Sequence, residues 1–236
     1  QEAAIVLALG GGFQAYFSQR RDGSVKLNEM DVMADVARFA RARQPYCHHS
    51  VQIPQVALLF STEAYQRESP GLFSRFTGNS RLRGVLQCLL EGQNSVDIVS
   101  EAMLGQNMKQ FPLIVIPEWK YLSPVFKDDL MRYVNEGGNV LVIGKETCEL
   151  FENLVPEAVA ASNPSVVKRG KGQIAFLPQS IGLSYLENKS ASTRQLVNGL
   201  ARTLFPEPIV QVQGTPQVDI SVSKLNDKLT VHLVNT

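Results

Sequence analysis

The sequence predicts an α/β fold built on a doubly wound, mostly parallel sheet, and three observations predict it. Four short runs, Val56–Phe60, Pro112–Ile116, Asn139–Ile143 and Gln173–Leu177, are apolar apart from the Asn139 and Gln173 that open two of them, as suits strands covered on both faces. Amphipathic helical stretches alternate with them, which is the grammar of parallel strand–helix–strand crossovers. From Ile209 the pattern changes to period two around Asn226-Asp227, a hairpin signal that belongs to an antiparallel module.

Taken in order, residues 3–9, AAIVLAL, form an apolar run of strand length directly before Gly10-Gly11-Gly12. A helix is expected from Asn28, which can cap it, with Asp31 in its first turn, Val32, Met33, Val36, Ala37 and Ala40 on one face, and Pro45 ending it. After the strand at Val56–Phe60, the segment Ser61 to Ser80 exceeds ordinary loop length. Its Phe73 and Phe76, with Arg67, Arg75, Arg81 and Arg83 around them, suit a protein interface, and plain disorder is the equal alternative. Ser80 is expected to cap a helix reaching Gln93, followed by a short strand at Val96–Val99 and a helical stretch from Glu101 to Lys109. Ser123-Pro124 opens a helix that Gly137-Gly138 closes. Ser192–Leu204 forms the last amphipathic helix of a doubly wound region spanning residues 54–205.

Bulk properties narrow the functional classes. In 236 residues, 23 Lys and Arg against 22 Asp and Glu leave a net charge of +1, so no basic field points to nucleic acid or to an acidic membrane. No apolar run approaches the roughly 20 residues of a membrane span, and no basic-headed signal segment precedes one. Cys47, Cys88 and Cys148 are widely spaced, which suggests neither a disulfide framework nor a metal knuckle; no metal or cofactor is expected. The opening without Met and the closing VHLVNT, which reads as an unfinished strand, suggest a piece of a longer protein.

Several motifs could carry chemistry. Gly10, Gly12 and Ala15 match G-x-G-x-x-A, but a dinucleotide site needs a helix opening at the glycines, a second strand, and an acid at that strand's tip; Asp31 falls inside a helix instead. Cys148 follows the strand NVLVI, yet lies four residues beyond Gly144, off the tight turn where an elbow nucleophile sits. Its base is also missing, because His48, His49 and His232 all lie outside residues 54–205. Trp119, in IPEWKYLSP with Glu118 and Tyr121, follows the carboxyl end of a central strand, where a ligand would sit and an indole could stack on a sugar. A core or interface aromatic is the plainer reading. Glu118 and Glu146 could supply paired carboxylates for glycoside hydrolysis.

The string ALGGGFQAYFSQRRDGS with the helix ending ARFARARQPYC resembles the last strand–helix unit of a glycoside hydrolase TIM barrel. PQVALLFS, GVLQCLLEGQNSVDIVSE, FPLIVIPEWKYLSP and LMRYVNEGGNVLVIG are similar to the class I glutamine-amidotransferase-like, flavodoxin-like domain that follows the barrel in β-galactosidases of the trimeric type and in fucosidase-like hydrolases; ISVSKLNDKLTVHLVN resembles the start of their C-terminal β-sandwich. The resemblance implies domains at 1–50, 51–207 and 208–236. It implies catalytic acids on absent barrel strands, so no catalytic residue here, and an amidotransferase-like domain without its nucleophile that serves subunit assembly. Gln14 and Tyr16, with Gln19 behind them, would line a sugar subsite at the barrel mouth. The implied partners are carbohydrate, met through the parent enzyme, and further copies of the chain, in a periplasmic or secreted setting. Two alternatives stand beside this: an independent amidase or hydrolase using Cys148, and a glycan-binding module centred on Trp119.

Overall fold

A computed structural model describes every residue except 15, 17, 54, 69–78 and 157–162. The chain divides into two compact units, Pro54–Pro216 and a unit made of Gln1–Ile53 with Gln217–Thr236.

In the larger unit, β2 (Val56–Phe60), β3 (Val96–Ser100), β4 (Leu113–Ile116), β5 (Asn139–Ile143) and β7 (Gly172–Leu177) pair in parallel, and β6 (Ser165–Arg169) runs antiparallel to β7. The strand order is β3-β2-β4-β5-β7-β6. Apolar runs with no polar face form these central strands because both faces are covered: β4 is buried at every position and β2 at all but Phe60. The edge strand β6, with the charged pair Lys168 and Arg169, has no such run and gave no sequence signal.

Helix boundaries follow capping chemistry. In α6 (Pro124–Glu136) Ser123 Oγ accepts from the Phe126 N–H at 3.1 Å, Pro124 opens the first turn, and Gly137 at φ +121° ends it. In α9 (Ala191–Leu204) Ser190 caps by accepting from Thr193 N–H, two residues before the expected start. The long segment after β2 is not structureless throughout, since Thr62–Glu68 forms α3; Phe73, Arg75 and Phe76 lie outside the described residues. In α4 (Ser80–Leu90) Ser80 is the first helical residue rather than the cap. Its apolar stripe, Leu82, Val85, Cys88 and Leu89, is buried. α4 packs closely on α8 (Gly182–Asn188), and glycines make this possible: a Cβ on Gly84 would lie 1.8 Å from the Gly182 carbonyl oxygen.

The smaller unit holds the main departure from the sequence reading. Residues 3–9 do not form a strand; Glu2–Ala8 is a helix, α1. A seven-residue apolar run has no periodicity to separate the two states, and Ala3, Ala4, Leu7 and Ala8 are good helix formers. The glycines then stop the helix. Gly10 N–H donates to Leu7 O and Gly11 N–H to Val6 O, both at 2.9 Å, with Gly10 at φ +77°, a Schellman cap. Glycines that close a helix cannot act as the phosphate cradle that opens one. α2 (Leu27–Cys47) takes in Asn28 rather than being capped by it and runs two residues past Pro45. Pro45 has no N–H to donate within the helix, and Cys47, its last residue, is buried. β1 (Val51–Gln52), β8 (Val218–Leu225) and β9 (Lys228–Asn235) form an antiparallel sheet in the order β1-β8-β9. Asn226 and Asp227, at φ +48° and +63°, make the two-residue turn as expected.

Gly84→Ala forces α4 away from α8 and is expected to cost about 3 kcal/mol, read as a fall in the urea midpoint with an unchanged slope.

Candidate functional site

Doubly wound sheets keep ligands beyond the carboxyl ends of the strands, where strand order reverses. In this sheet the reversal lies between β2 and β4. The residues leaving β4 cross that point. Trp119 Nε1 donates to the Leu59 carbonyl of β2 at 2.8 Å, and its ring meets Phe60 edge-on with centroids 5.7 Å apart. Only 4% of Trp119 is exposed, so the indole fills the crevice and offers no face to a sugar. It behaves as a core aromatic whose polar handle is satisfied.

Glu118 is committed to the other side of the same edge. Its Oε1 accepts from the backbone N–H groups of Ile181 at 2.7 Å and Gly182 at 2.6 Å. Between Glu118 and β5 there is no room for a side chain: Gly144, at φ +98°, would place a Cβ 2.8 Å from Glu118 Cγ. Gly144 occupies the strand-to-helix turn between β5 and α7 (Lys145–Glu149), the position an elbow nucleophile would need. Thr147, buried on α7, donates to the Trp119 carbonyl at 3.0 Å and locks the segment from beneath.

Cys148 lies inside α7, 2% exposed, with Sγ 4.0 Å from the Val142 carbonyl oxygen. Burial pushes its thiol up to about 12, the reverse of what a nucleophilic cysteine requires. Residues 54–216 contain no histidine. The approach of a cysteine to a histidine occurs in the smaller unit, where Cys47 Sγ lies 4.0 Å from His232 Nδ1 across 185 residues of sequence. Burial raises the Cys47 pKa and lowers that of His232. Both shifts favour the neutral thiol and neutral imidazole, not a thiolate–imidazolium pair. Spacing along the chain gave no hint of this contact.

The remaining sequence candidates disperse. Glu146 is exposed on α7 and pairs with Lys120 at 3.2 Å and Arg81 at 4.0 Å, while Glu118 is held by backbone, so the two do not face a common substrate position. Gln14, Tyr16 and Gln19 stand on the exposed segment after the Schellman cap, Tyr16 at 90% exposure. A strand before the glycines would have aimed Gln14 and Tyr16 at a barrel mouth; a helix stands there. Among the described residues no group of three or more His, Cys, Asp or Glu is arranged to hold a metal, and no helix is long and apolar enough to cross a membrane.

No protein-family profile matches the chain, and no curated protein matches it in sequence. Solved structures do. The chain is similar to α-L-fucosidase isoenzyme 2 from Paenibacillus thiaminolyticus with a TM-score of 0.75 at 15% identity, over 100% of this chain and 46% of that one. It is similar to the β-galactosidase of Bacillus circulans sp. alkalophilus with a TM-score of 0.60 at 12% identity, over 86% of this chain and 39% of that one. A cold-adapted β-galactosidase from Rahnella sp. R3 gives 0.61 at 12% identity, over 87% and 39%. The chain therefore has a fold that glycoside hydrolases contain, and it spans less than half the length of these enzymes.

Two outcomes are expected. Glu118→Ala leaves two buried N–H groups unpaired and should cost about 3 kcal/mol, whereas Glu118→Gln keeps an acceptor and should cost about 1 kcal/mol, by urea unfolding. The folded Cys148 thiol keeps its proton to about pH 12, while an unfolded one loses it near the ordinary 9.0. The folded state thus binds more protons in that window, and stability falls as pH rises through it. Cys148→Ala should flatten that fall, measured as the urea midpoint against pH.

Proposed function

We propose that this chain is a non-catalytic accessory region of a glycoside hydrolase acting on oligo- or polysaccharides, and that its work is assembly with further copies of the chain. Residues 51–207 serve as a glutamine-amidotransferase-like, flavodoxin-like domain without a nucleophile. Carbohydrate is met by the parent enzyme, and β8–β9 begins its C-terminal β-sandwich. The observation that carries this reading is the closed carboxyl edge: Gly144 stands at the elbow, pressed on Glu118, and Trp119 fills the switch point. The fold likeness to a fucosidase and to β-galactosidases supports the parentage. The burial of Cys148 and of Trp119 speaks against the independent-amidase and glycan-stacking alternatives.

The test is a screen of aryl glycosides, fucosides and galactosides included, together with tryptophan fluorescence. No turnover is expected, and oligosaccharides should leave the emission of Trp119 unchanged. Turnover that disappears in Glu118→Gln or Glu146→Gln would overturn the proposal.

A further inference from the structure

The two edges of the six-stranded sheet are chemically unlike. β3 at one end carries Asp97, whose carboxylate has no hydrogen-bond or ion-pair partner among the described residues; burial raises its pKa. Beside β3 runs a groove of about 640 Å³, lined by Phe60, Asp97, Ile98, Val99, Met103 and Phe111 among others. Asp97 and Val99 point to one face of the sheet and Ile98 to the other, yet all three line it, so the groove follows the strand edge rather than a face. Ile98 and Met103 are more than half exposed there. β6 at the opposite end carries Lys168 and Arg169, neither of which has an ion-pair partner among the described residues. Neither edge bears a proline that would block pairing.

Register decides which residues could meet if one sheet continued into another. Asp97 lies opposite Ala57, which lies opposite Ile114, then Val140, Ile174 and Val167 in turn. Asp97, Val167 and Arg169 therefore share a face. β6 is antiparallel to the rest of its sheet, so the β6 of a second copy extending the sheet would run antiparallel to β3. Setting Asp97 opposite Arg169 then places Ile98 opposite Lys168, Val99 opposite Val167 and Ser100 opposite Val166. The carboxylate meets a guanidinium and valine meets valine on the same face. Neither edge offers a second copy of itself an opposite charge, since the only charged residue of β3 is Asp97 and those of β6 are Lys168 and Arg169.

We propose that copies of this chain associate head to tail, the β3 edge of one adding to the β6 edge of the next through an Asp97–Arg169 pair. This rests on the assembly reading above and adds the surface that performs it. The contact is heterologous, so it generates rings or open chains rather than a closed pair.

Sedimentation velocity over a concentration series tests it, with far-UV circular dichroism as the check on folding. Asp97→Arg and Arg169→Asp should each weaken association roughly three- to tenfold, and the double variant should recover it. Arg169 is exposed, so Arg169→Asp, with concentration-dependent hydrogen exchange of the β3 amides, keeps the test decisive if Asp97→Arg does not fold. Association that ignores both charge reversals, or a double variant that stays weak, overturns this surface while leaving the assembly reading intact. A chain that remains monomeric throughout overturns both.

Discussion

The carboxylate of Glu118 ties the end of β4 to the start of α8. A charged group with 8% exposure would be costly to bury alone, and charge-assisted hydrogen bonds from two backbone amides offset that cost. To reach them the side chain must pass Gly144, where any Cβ would collide with it. The turn after β5 is therefore bound to glycine by the same contact that joins β4 to the start of α8. Trp119, next in sequence, is fixed in the opposite direction by β2, and Thr147 secures the peptide that leaves Trp119 by donating to its carbonyl. Three strand ends are thus tied by short-range contacts of a kind a ligand would otherwise supply.

α8 couples this closure to the packing of the helices. Its first residue meets Glu118 at the N–H and Gly84 of α4 across the carbonyl. One turn on, the fully buried Tyr185 donates to Glu91 at 2.5 Å, and Arg194 of α9 reaches the same carboxylate at 3.1 Å. Asn198 completes the seam by donating to the carbonyls of Cys88 and Arg194 and accepting from Asn94. Polar groups satisfied in this way specify one arrangement of α4, α8 and α9, because each would be left unpaired in any other. A domain so braced is suited to present a rigid surface rather than to open around a substrate.

That rigidity gives the reading as an assembly element its physical content. Open α/β sheets usually spend sequence on their carboxyl edge, where chemistry happens. Here that edge is spent on internal contacts, and the chemically distinctive positions lie at the two lateral edges instead. Among the described residues, one lateral edge carries a carboxylate without a cation, and the other carries cations without a carboxylate. The smaller unit adds a Cys–His contact in which burial keeps both groups neutral, so proximity alone does not make a reactive pair.

What the sequence determined by itself was local. Runs apolar at every position had to become buried parallel strands, Ser123-Pro124 and Gly137 had to bound a helix, and Asn226-Asp227 had to turn a hairpin, because each signal acts within a few residues. The lack of a histidine between 54 and 216 already removed a Cys–His nucleophile from the larger unit. Tertiary structure decided what depended on partners far along the chain. Whether AAIVLAL became strand or helix turned on what it packed against and on the cap that Gly10 and Gly11 could form. β6, too polar to announce itself, became a strand because β7 offered an edge. The roles of Glu118 and Trp119 were set by donors and acceptors 63 and 60 residues away. A hydrogen bond at that separation leaves no periodic trace in the sequence, so the contacts that bury Glu118 and Trp119 are legible only in the folded chain.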